Sequence, residues 1–488
     1  MPTKQGLLDL EWEVVLKILA FSGSKAICNA AATCTTLNKM KAHLSTVPLF
    51  SSTMNNGTVE TALKNAMDGM LGSIDFAFIA MQGNAKRDEV LEGIRKAGLP
   101  KSCQIIGGKA YYGGSIGLID GTIPWEIESD PPFVSVLLGR VPDRRVEAMD
   151  CREKGECGWN DECDFVIVFN GGGATDIYLA NKKEKCAVVG GLAKSTFHGD
   201  INEIKTRGSP VALCFSPYEG ETVNSDEQRS ESQKARAEKG KEGDAFSPHV
   251  FGVSGLGHTE KSPIFHGCLL KQAESSGYTR FDLSGGISSD GRKLTDMLSR
   301  PEFSPSWSLE RSIGLWRQTE GRDKSIHDES DPYVVMEIEH GHFWNVRGDA
   351  RDVEFRFEEN LSAILLERTK EISKKVLTRQ LADIFSKKLA AQSKHTDIYG
   401  ILERSAKSTK TGPSATIIFA CSERGENFFE EPNVESSLVD EIAKGKMPIA
   451  GLFVGGEFGP DLRGWASANS ETAKRYCRTG FTTMFAVL

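Results

Sequence analysis

One pattern constrains this chain more than any other. A short apolar run, a connection, a second apolar run ending in Gly-Gly, and a third apolar run recur three times. The first copy has runs at 74–79, 104–108 and 133–138, with helical periodicity over 87–97. The second has runs at 165–169, 186–191 and 211–215, with Gly171, Gly172 and Gly173 following the first run. The third has runs at 415–420, 448–456 and 481–487, with helical periodicity over 434–443. Repetition at this scale marks one supersecondary unit used several times. The opening runs are continuously apolar, as suits strands buried on both faces. A strand–helix–strand crossover pairs its two strands in parallel and is right-handed. The third strand is expected to return antiparallel, giving mixed sheets.

The fold class that follows is α+β (α/β mixed): a small N-terminal helical module, then duplicated mixed β-sheet domains covered by helices. The expected divisions are 5–50 for the helical module, 55–218 for the first sheet domain, 219–329 for an insertion and 330–488 for the second sheet domain. Within the insertion, 12 of the 24 residues in 221–244 are charged and Val223 is the only branched aliphatic one. Such a segment buries too little apolar surface to order itself. The insertion is therefore expected to be charged, rich in Gly and Ser, and partly disordered. Residues 360–389 carry Leu361, Ile364, Leu365, Ile372, Val376, Leu377, Leu381 and Ile384 at helical spacings, which predicts one or two amphipathic helices.

Composition narrows the function. There are 59 basic against 67 acidic side chains, a net charge of −8 among 488 residues. Phosphate-backbone binding needs clustered Lys and Arg, so neither nucleic acid nor an anionic membrane is an expected partner. No apolar stretch nears the roughly 20 residues of a membrane span, and the first residues lack a signal-peptide pattern. The 11 cysteines, an odd number at low density, argue against a disulfide framework. A cytoplasmic or nuclear location, or both, is expected.

The candidate chemistry lies where buried strands end. Glycines there permit positive φ or close approach of a ligand, and ligands of α/β sheets sit off the carboxyl ends of strands. Gly107, Gly108, Gly190, Gly191, Gly455 and Gly456 are candidates on that ground, and Gly455→Val is expected to be penalised by a positive φ. At the end of the third unit's first strand, Cys421 emerges with Arg424 and Gly425 behind it, and Glu457 follows the last Gly-Gly pair. Arg424 is expected to lower the Cys421 thiol pKa by proximity. No spacing fixes a general base beside Cys421, so a Cys–His nucleophile is not supported. Cys151, Cys157 and Cys163 stand six residues apart, looser than zinc pairs. His340 and His342 are two ligands only. No catalytic residue, metal or cofactor is expected.

Residues 10–21, Leu-Glu-Trp-Glu-Val-Val-Leu-Lys-Ile-Leu-Ala-Phe, are apolar on most sides. So short a helix must be covered by something. This stretch resembles the opening helix of an F-box, and Ala31 to Leu37, with Cys34, resembles its later part. Glu11 and Leu37 stand where that module usually has proline and tryptophan. The remainder is similar to the FIST (F-box and intracellular signal transduction) N-terminal and C-terminal domains. The matching stretches are Ile105-Ile106-Gly107-Gly108, Val188-Val189-Gly190-Gly191, Ile418-Phe419-Ala420-Cys421-Ser422-Glu423-Arg424-Gly425, Ile449 to Pro460, and Thr482-Thr483.

The resemblance implies an F-box only protein, the substrate receptor of a Skp1–cullin–F-box ubiquitin ligase. Leu10, Val14, Ile18 and Leu19 would then dock on Skp1, and the FIST region would hold a target protein. Ubiquitin transfer would occur elsewhere in the complex. The alternative reading is a signalling protein that senses a small ligand near Cys421. An enzyme with Cys421 as nucleophile is a third reading.

Overall fold

The computed structural model describes residues 48–70, 73–83, 86–110, 114–128, 132–151, 163–171, 186–207, 210–217, 246–259, 262–273, 280–298, 311–317, 334–339, 343–345, 361–392, 410–412, 414–445, 447–460, 462, 467–469 and 476–488. The expected N-terminal helices with Leu10, Val14, Ile18 and Leu19, the charged stretch 221–244, and His340 and His342 lie outside them. In chain order the elements begin with β1 (Leu49–Asn55), α1 (Val59–Asp68), β2 (Phe76–Met81), α2 (Arg87–Ala97), β3 (Gln104–Lys109), β4 (Ser115–Ile119), β5 (Ile123–Glu126) and β6 (Val134–Arg140). Then come β7 (Arg144–Asp150), β8 (Phe165–Gly171), β9 (Ala187–Ala193), β10 (Ser195–Gly199), β11 (Ile204–Arg207) and β12 (Val211–Pro217). The middle holds β13 (His249–Val253), β14 (Ile264–Ala273), β15 (Arg280–Ser288), α3 (Leu294–Leu298), β16 (Arg311–Arg317), β17 (Val334–Glu339), β18 (Phe343–Asn345), β19 (Leu361–Glu367) and α4 (Lys370–Gln392). The chain ends with β20 (Lys410–Gly412), β21 (Thr416–Cys421), α5 (Glu426–Phe429), α6 (Val434–Ile442), β22 (Ile449–Val454), β23 (Glu457–Pro460), β24 (Ser467–Asn469), β25 (Tyr476–Thr479) and β26 (Thr483–Val487).

The fold is α+β, and its three repeated units share one topology. β2 pairs in parallel with β3 and antiparallel with β6. β8 does the same with β9 and β12, and β21 with β22 and β26. The opening strand is therefore always central, which is why it reads as an unbroken apolar run. The connections of the first and third units are helical. α2 has Asp88 and Glu89 in its first turn, Arg95 and Lys96 in its last, and Gly98 at its end with φ of 81°, the charge order and stop signal that favour a helix.

The units are distributed over two sheets of one compact body, built from residues up to 250, 381–459 and 474–488. One sheet runs β11-β10-β3-β2-β6-β1-β4-β22-β21-β26, with β20 added at β1 and β5 at β4; the other runs β25-β23-β9-β8-β12-β7. Phenylalanines fill the space between them. Phe78 stacks on Phe169 with centroids 5.5 Å apart, Phe419 meets both rings edge-on, and Phe76 meets Phe215 edge-on at 5.3 Å. Such pairs contribute about 0.5–1.5 kcal/mol each beyond their area. On the opposite face of the larger sheet, Val59, Ala62, Leu63 and Ala66 of α1 and Val90, Leu91 and Ile94 of α2 pack on Ala77, Ile79, Ile105, Val136 and Leu138.

The second body, from residues 251–380 and 460–473, holds a closed barrel in the order β14-β15-β18-β17-β16-β19. Two expectations fail here. Residues 361–367 are a strand, not the start of a helix, and only 370–392 are helical. A continuous apolar run fits either period. β19 resolves the ambiguity by pairing with β16 on one edge and β14 on the other. The division at 329/330 also falls inside the barrel, because β14, β15 and β16 precede it while β17, β18 and β19 follow. The described parts of 219–329 are mostly strands, with one short helix. The barrel's core includes Phe265, Cys268, Leu283, Ile313, Leu315 and Leu361, with Leu294, Met297 and Leu298 of α3. At the other end of the expected helical module, Leu49 and Phe50 already belong to β1 and are buried.

Candidate functional site

The third unit brings several expected site residues together. β21 ends at Cys421, and a tight turn follows in which the Arg424 amide donates to the Cys421 carbonyl at 2.9 Å. That turn folds the Arg424 side chain back under the strand ends, where it is fully buried. Its Nε donates to Glu435 Oε1 at 3.1 Å, and its Nη2 lies 3.1 Å from the same oxygen. The rings of Phe428 and Phe429 lie 5.7 and 5.4 Å from its guanidinium carbon. Thr483 Oγ1 donates to Glu435 Oε1 at 2.5 Å. A buried guanidinium needs such partners, since desolvating a lone charge costs several kcal/mol.

Two further carboxyls complete the cluster. Glu457, fully buried at the start of β23, accepts from the Thr482 amide at 3.3 Å and from Thr482 Oγ1 at 2.5 Å. Cys421 lies beside it. Glu126, at the end of β5, accepts from the Ser436 amide at 2.5 Å and so caps α6. Its own amide donates to Asn433 Oδ1 at 2.7 Å. The neighbouring half-buried Glu128 accepts from the Glu426 amide at the start of α5. Among the described residues, Glu435 Oε2 and Glu457 Oε1 are buried without a hydrogen-bond partner.

Burial sets the protonation of this cluster. It pushes Glu457 up to about 8, against the pull of the Thr482 bonds. Burial, reinforced by the charge of Glu435, pushes Glu126 up to about 8 against the Ser436 bonds. Burial also raises Glu435, while Arg424 and Thr483 pull it back. Near neutral pH the cluster thus holds protons on Glu126 and Glu457. A protonated carboxyl donates as well as accepts. Burial, then the charge of Glu457, pushes the Cys421 thiol up to about 11. The expectation that Arg424 would lower it is overturned, because Arg424 is committed to Glu435. Cys421 is a neutral thiol at the rim of an acid-rich cluster.

The sign of the pH dependence follows. Glu126 and Glu457 titrate higher when folded than the ordinary carboxyl value of 4.5. Their contribution is complete below about pH 4.5 and is lost as pH rises toward 8. Each favours unfolding by roughly 1 kcal/mol per pH unit across that window. Thermal melts should therefore fall from pH 5 to pH 8, and Glu457→Gln should flatten the slope. A slope identical in the two proteins would rule out a proton on Glu457.

The Gly-Gly pairs are a correction. A Cβ on Gly107 would strike the Phe197 ring of β10, and one on Gly108 would meet Phe169 at 2.7 Å. On Gly190 it would fall on the Val168 carbonyl, and on Gly191 it would meet Val454 at 2.6 Å. These four glycines lie inside strands and are buried by neighbouring strands, which leaves no room there for a ligand. Gly425 is similarly close, with the Glu128 carboxylate where its Cβ would be. A Cβ on Gly456 would lie 2.7 Å from Arg478 Nε. Gly455 is exposed and has nothing within 4 Å of its Cβ position, and its φ lies outside the left-handed region. The expected penalty for Gly455→Val has no basis, and its melt should stay within about 1 kcal/mol of wild type.

Of the expected site, then, Cys421, Arg424, Gly425 and Glu457 gather at the ends of β21 and β22, with Gly455 and Gly456 at the rim. Gly107, Gly108, Gly190 and Gly191 serve packing. Glu126, Glu128 and Glu435 escaped the sequence reading. Glu435 reads as an ordinary acid in a helix's first turn, and Glu126 is about three hundred residues away. Comparison of the chain with models of known families and with curated proteins finds no match to either.

Proposed function

We propose that this chain is the substrate-recognition subunit of a Skp1–cullin–F-box ubiquitin ligase. The observation that carries the reading is the apolar sequence at 10–21 followed by 31–37, with Leu10, Val14, Ile18 and Leu19 offered to Skp1. The order of the three repeated units and the Cys421–Gly425 and Ile449–Pro460 stretches support a FIST body behind it. In this reading the two-sheet body holds a target protein and has no catalytic part, since ubiquitin is transferred on other subunits. The working location is the cytoplasm or nucleus. Among the described residues no helix is long and apolar enough to cross a membrane.

The test is a Skp1 pull-down with the full chain and with a version lacking residues 1–47, which leaves β1 whole. Binding that vanishes with the deletion supports the receptor reading. No binding by the full chain overturns it.

A second reading is a small-ligand sensor. It is favoured by Glu435 Oε2 and Glu457 Oε1, which are buried without a hydrogen-bond partner. A ligand that raises the melting temperature of wild type but not of Glu457→Gln would support it.

A further inference from the structure

A strand from the first unit is tied to the helices of the third. β5 joins the larger sheet through β4, and Pro124 within it has no amide to donate. Ile123 and Trp125 are 54% and 40% exposed, so one face of β5 is in solvent. Glu126 points the other way, as the alternation along a strand requires. It is buried, it accepts from the Ser436 amide in the first turn of α6, and its own amide donates to Oδ1 of Asn433, the residue before that helix. Two residues on, Glu128 accepts from the Glu426 amide at the start of α5.

We propose that β5 is a proton-locked clasp: it closes on α6 while Glu126 is neutral, and as Glu126 ionises it loosens and admits water to the Arg424–Glu435 pair. The charges around Glu126 support this. α6 presents Glu435, one residue before the Ser436 amide that Glu126 holds. The segment after β5 adds Glu128, beside which α5 places Glu426. β4 sets Ile116 opposite Glu126 and carries no titratable side chain. Arg424, the cation of the cluster, is bonded to Glu435. An ionised Glu126 therefore meets like charge in a buried space, where screening is weak. Glu435 Oε2, buried without a hydrogen-bond partner, gains one when water enters.

The two states of β5 hold the Glu126 proton differently. Closed, burial and then the Glu435 charge keep Glu126 up at about 8; open to water, it returns toward the ordinary 4.5. Opening therefore releases a proton throughout that interval. The open fraction rises about tenfold per pH unit from about pH 5 to about pH 8 and then levels off. The event is local, because only the short β4–β5 ladder and the bonds to α5 and α6 part while the sheets stay whole.

The experiment is hydrogen exchange of the full-length chain, read by mass spectrometry from about pH 5.5 to about pH 7.5, with each rate divided by the intrinsic rate at that pH. Protection of the peptides that hold Glu126 and Ser436 should fall about 100-fold over this range. β3 should exchange more slowly than either at every pH. Glu126→Gln keeps an acceptor for the Ser436 amide but cannot ionise, so it should lose most of the slope. Glu457→Gln should leave the slope at β5 unchanged. Should Glu126→Gln fail to fold, Asn433→Gly still decides, since glycine accepts the φ of 62° found there. It removes the bond to the Glu126 amide and should lower protection about fivefold at every pH with the slope intact. Protection that does not change with pH in the wild type, the same slope in Glu126→Gln, a slope lost in Glu457→Gln, or β3 exchanging in step with β5 overturns the proposal.

Discussion

Arg424→Met is expected to lower the stability of the two-sheet body by about 3–5 kcal/mol, the usual cost of removing one partner of a buried ion pair. The substitution keeps most of the volume between Phe428 and Phe429 and removes the charge that faces Glu435. Glu435 then keeps the Thr483 hydroxyl as a donor, and it lies in a cluster where Glu126 already feels its charge. It must take up a proton to stay buried. The loss should therefore be larger at pH 8 than at pH 5. Arg424→Met combined with Glu435→Gln should recover much of the loss, since a neutral amide needs no counter-charge; the two residues touch, and their effects should not add. Equilibrium urea unfolding of the two single variants and the double variant measures this. A change under 1 kcal/mol for Arg424→Met would show that the pair is not what holds the turn after β21.

Gly190→Ala should cost about 3 kcal/mol, at or above the upper end for overpacking by a single methyl group. The reason is what stands in the way. The new Cβ would fall on the carbonyl of Val168, the backbone of the strand with which Gly190 is paired in parallel. A side chain can rotate aside, but a ladder carbonyl cannot move without breaking β8 from β9. Gly451 repeats the arrangement in the third unit, against the Ile418 carbonyl. The control is Gly455→Ala, whose Cβ meets open space. Equal melting temperatures for the Gly190 and Gly455 variants would contradict this reading of the Gly-Gly strands.

These two predictions separate what the residue order carried from what it did not. The opening strands, the helices over 87–97 and 434–442, and the parallel-then-antiparallel order of each unit were legible. Each rests on local periodicity, and a strand buried on both faces cannot hide its apolar run. The position of Cys421 at a strand end, with Arg424 in the turn behind it, was legible for the same reason.

The barrel was not legible, because Leu361 to Glu367 fits a strand or a helix equally until β14 and β16 are in place to pair with it. The roles of the glycines were not legible either. The sequence placed Gly107 and Gly190 at strand ends, but which atom occupies the missing side chain's space depends on strands from elsewhere, β10 for one and β8 for the other. The partner of Arg424 was likewise hidden. Proximity along the chain pointed the guanidinium at Cys421, eleven residues separate it from Glu435, and Glu126 arrives from the first unit. Short-range order determined which strands and turns this protein has. Only the assembled sheets decided which carboxyls are dry, and a buried charge takes its pKa from what surrounds it in space rather than from its neighbours in the chain.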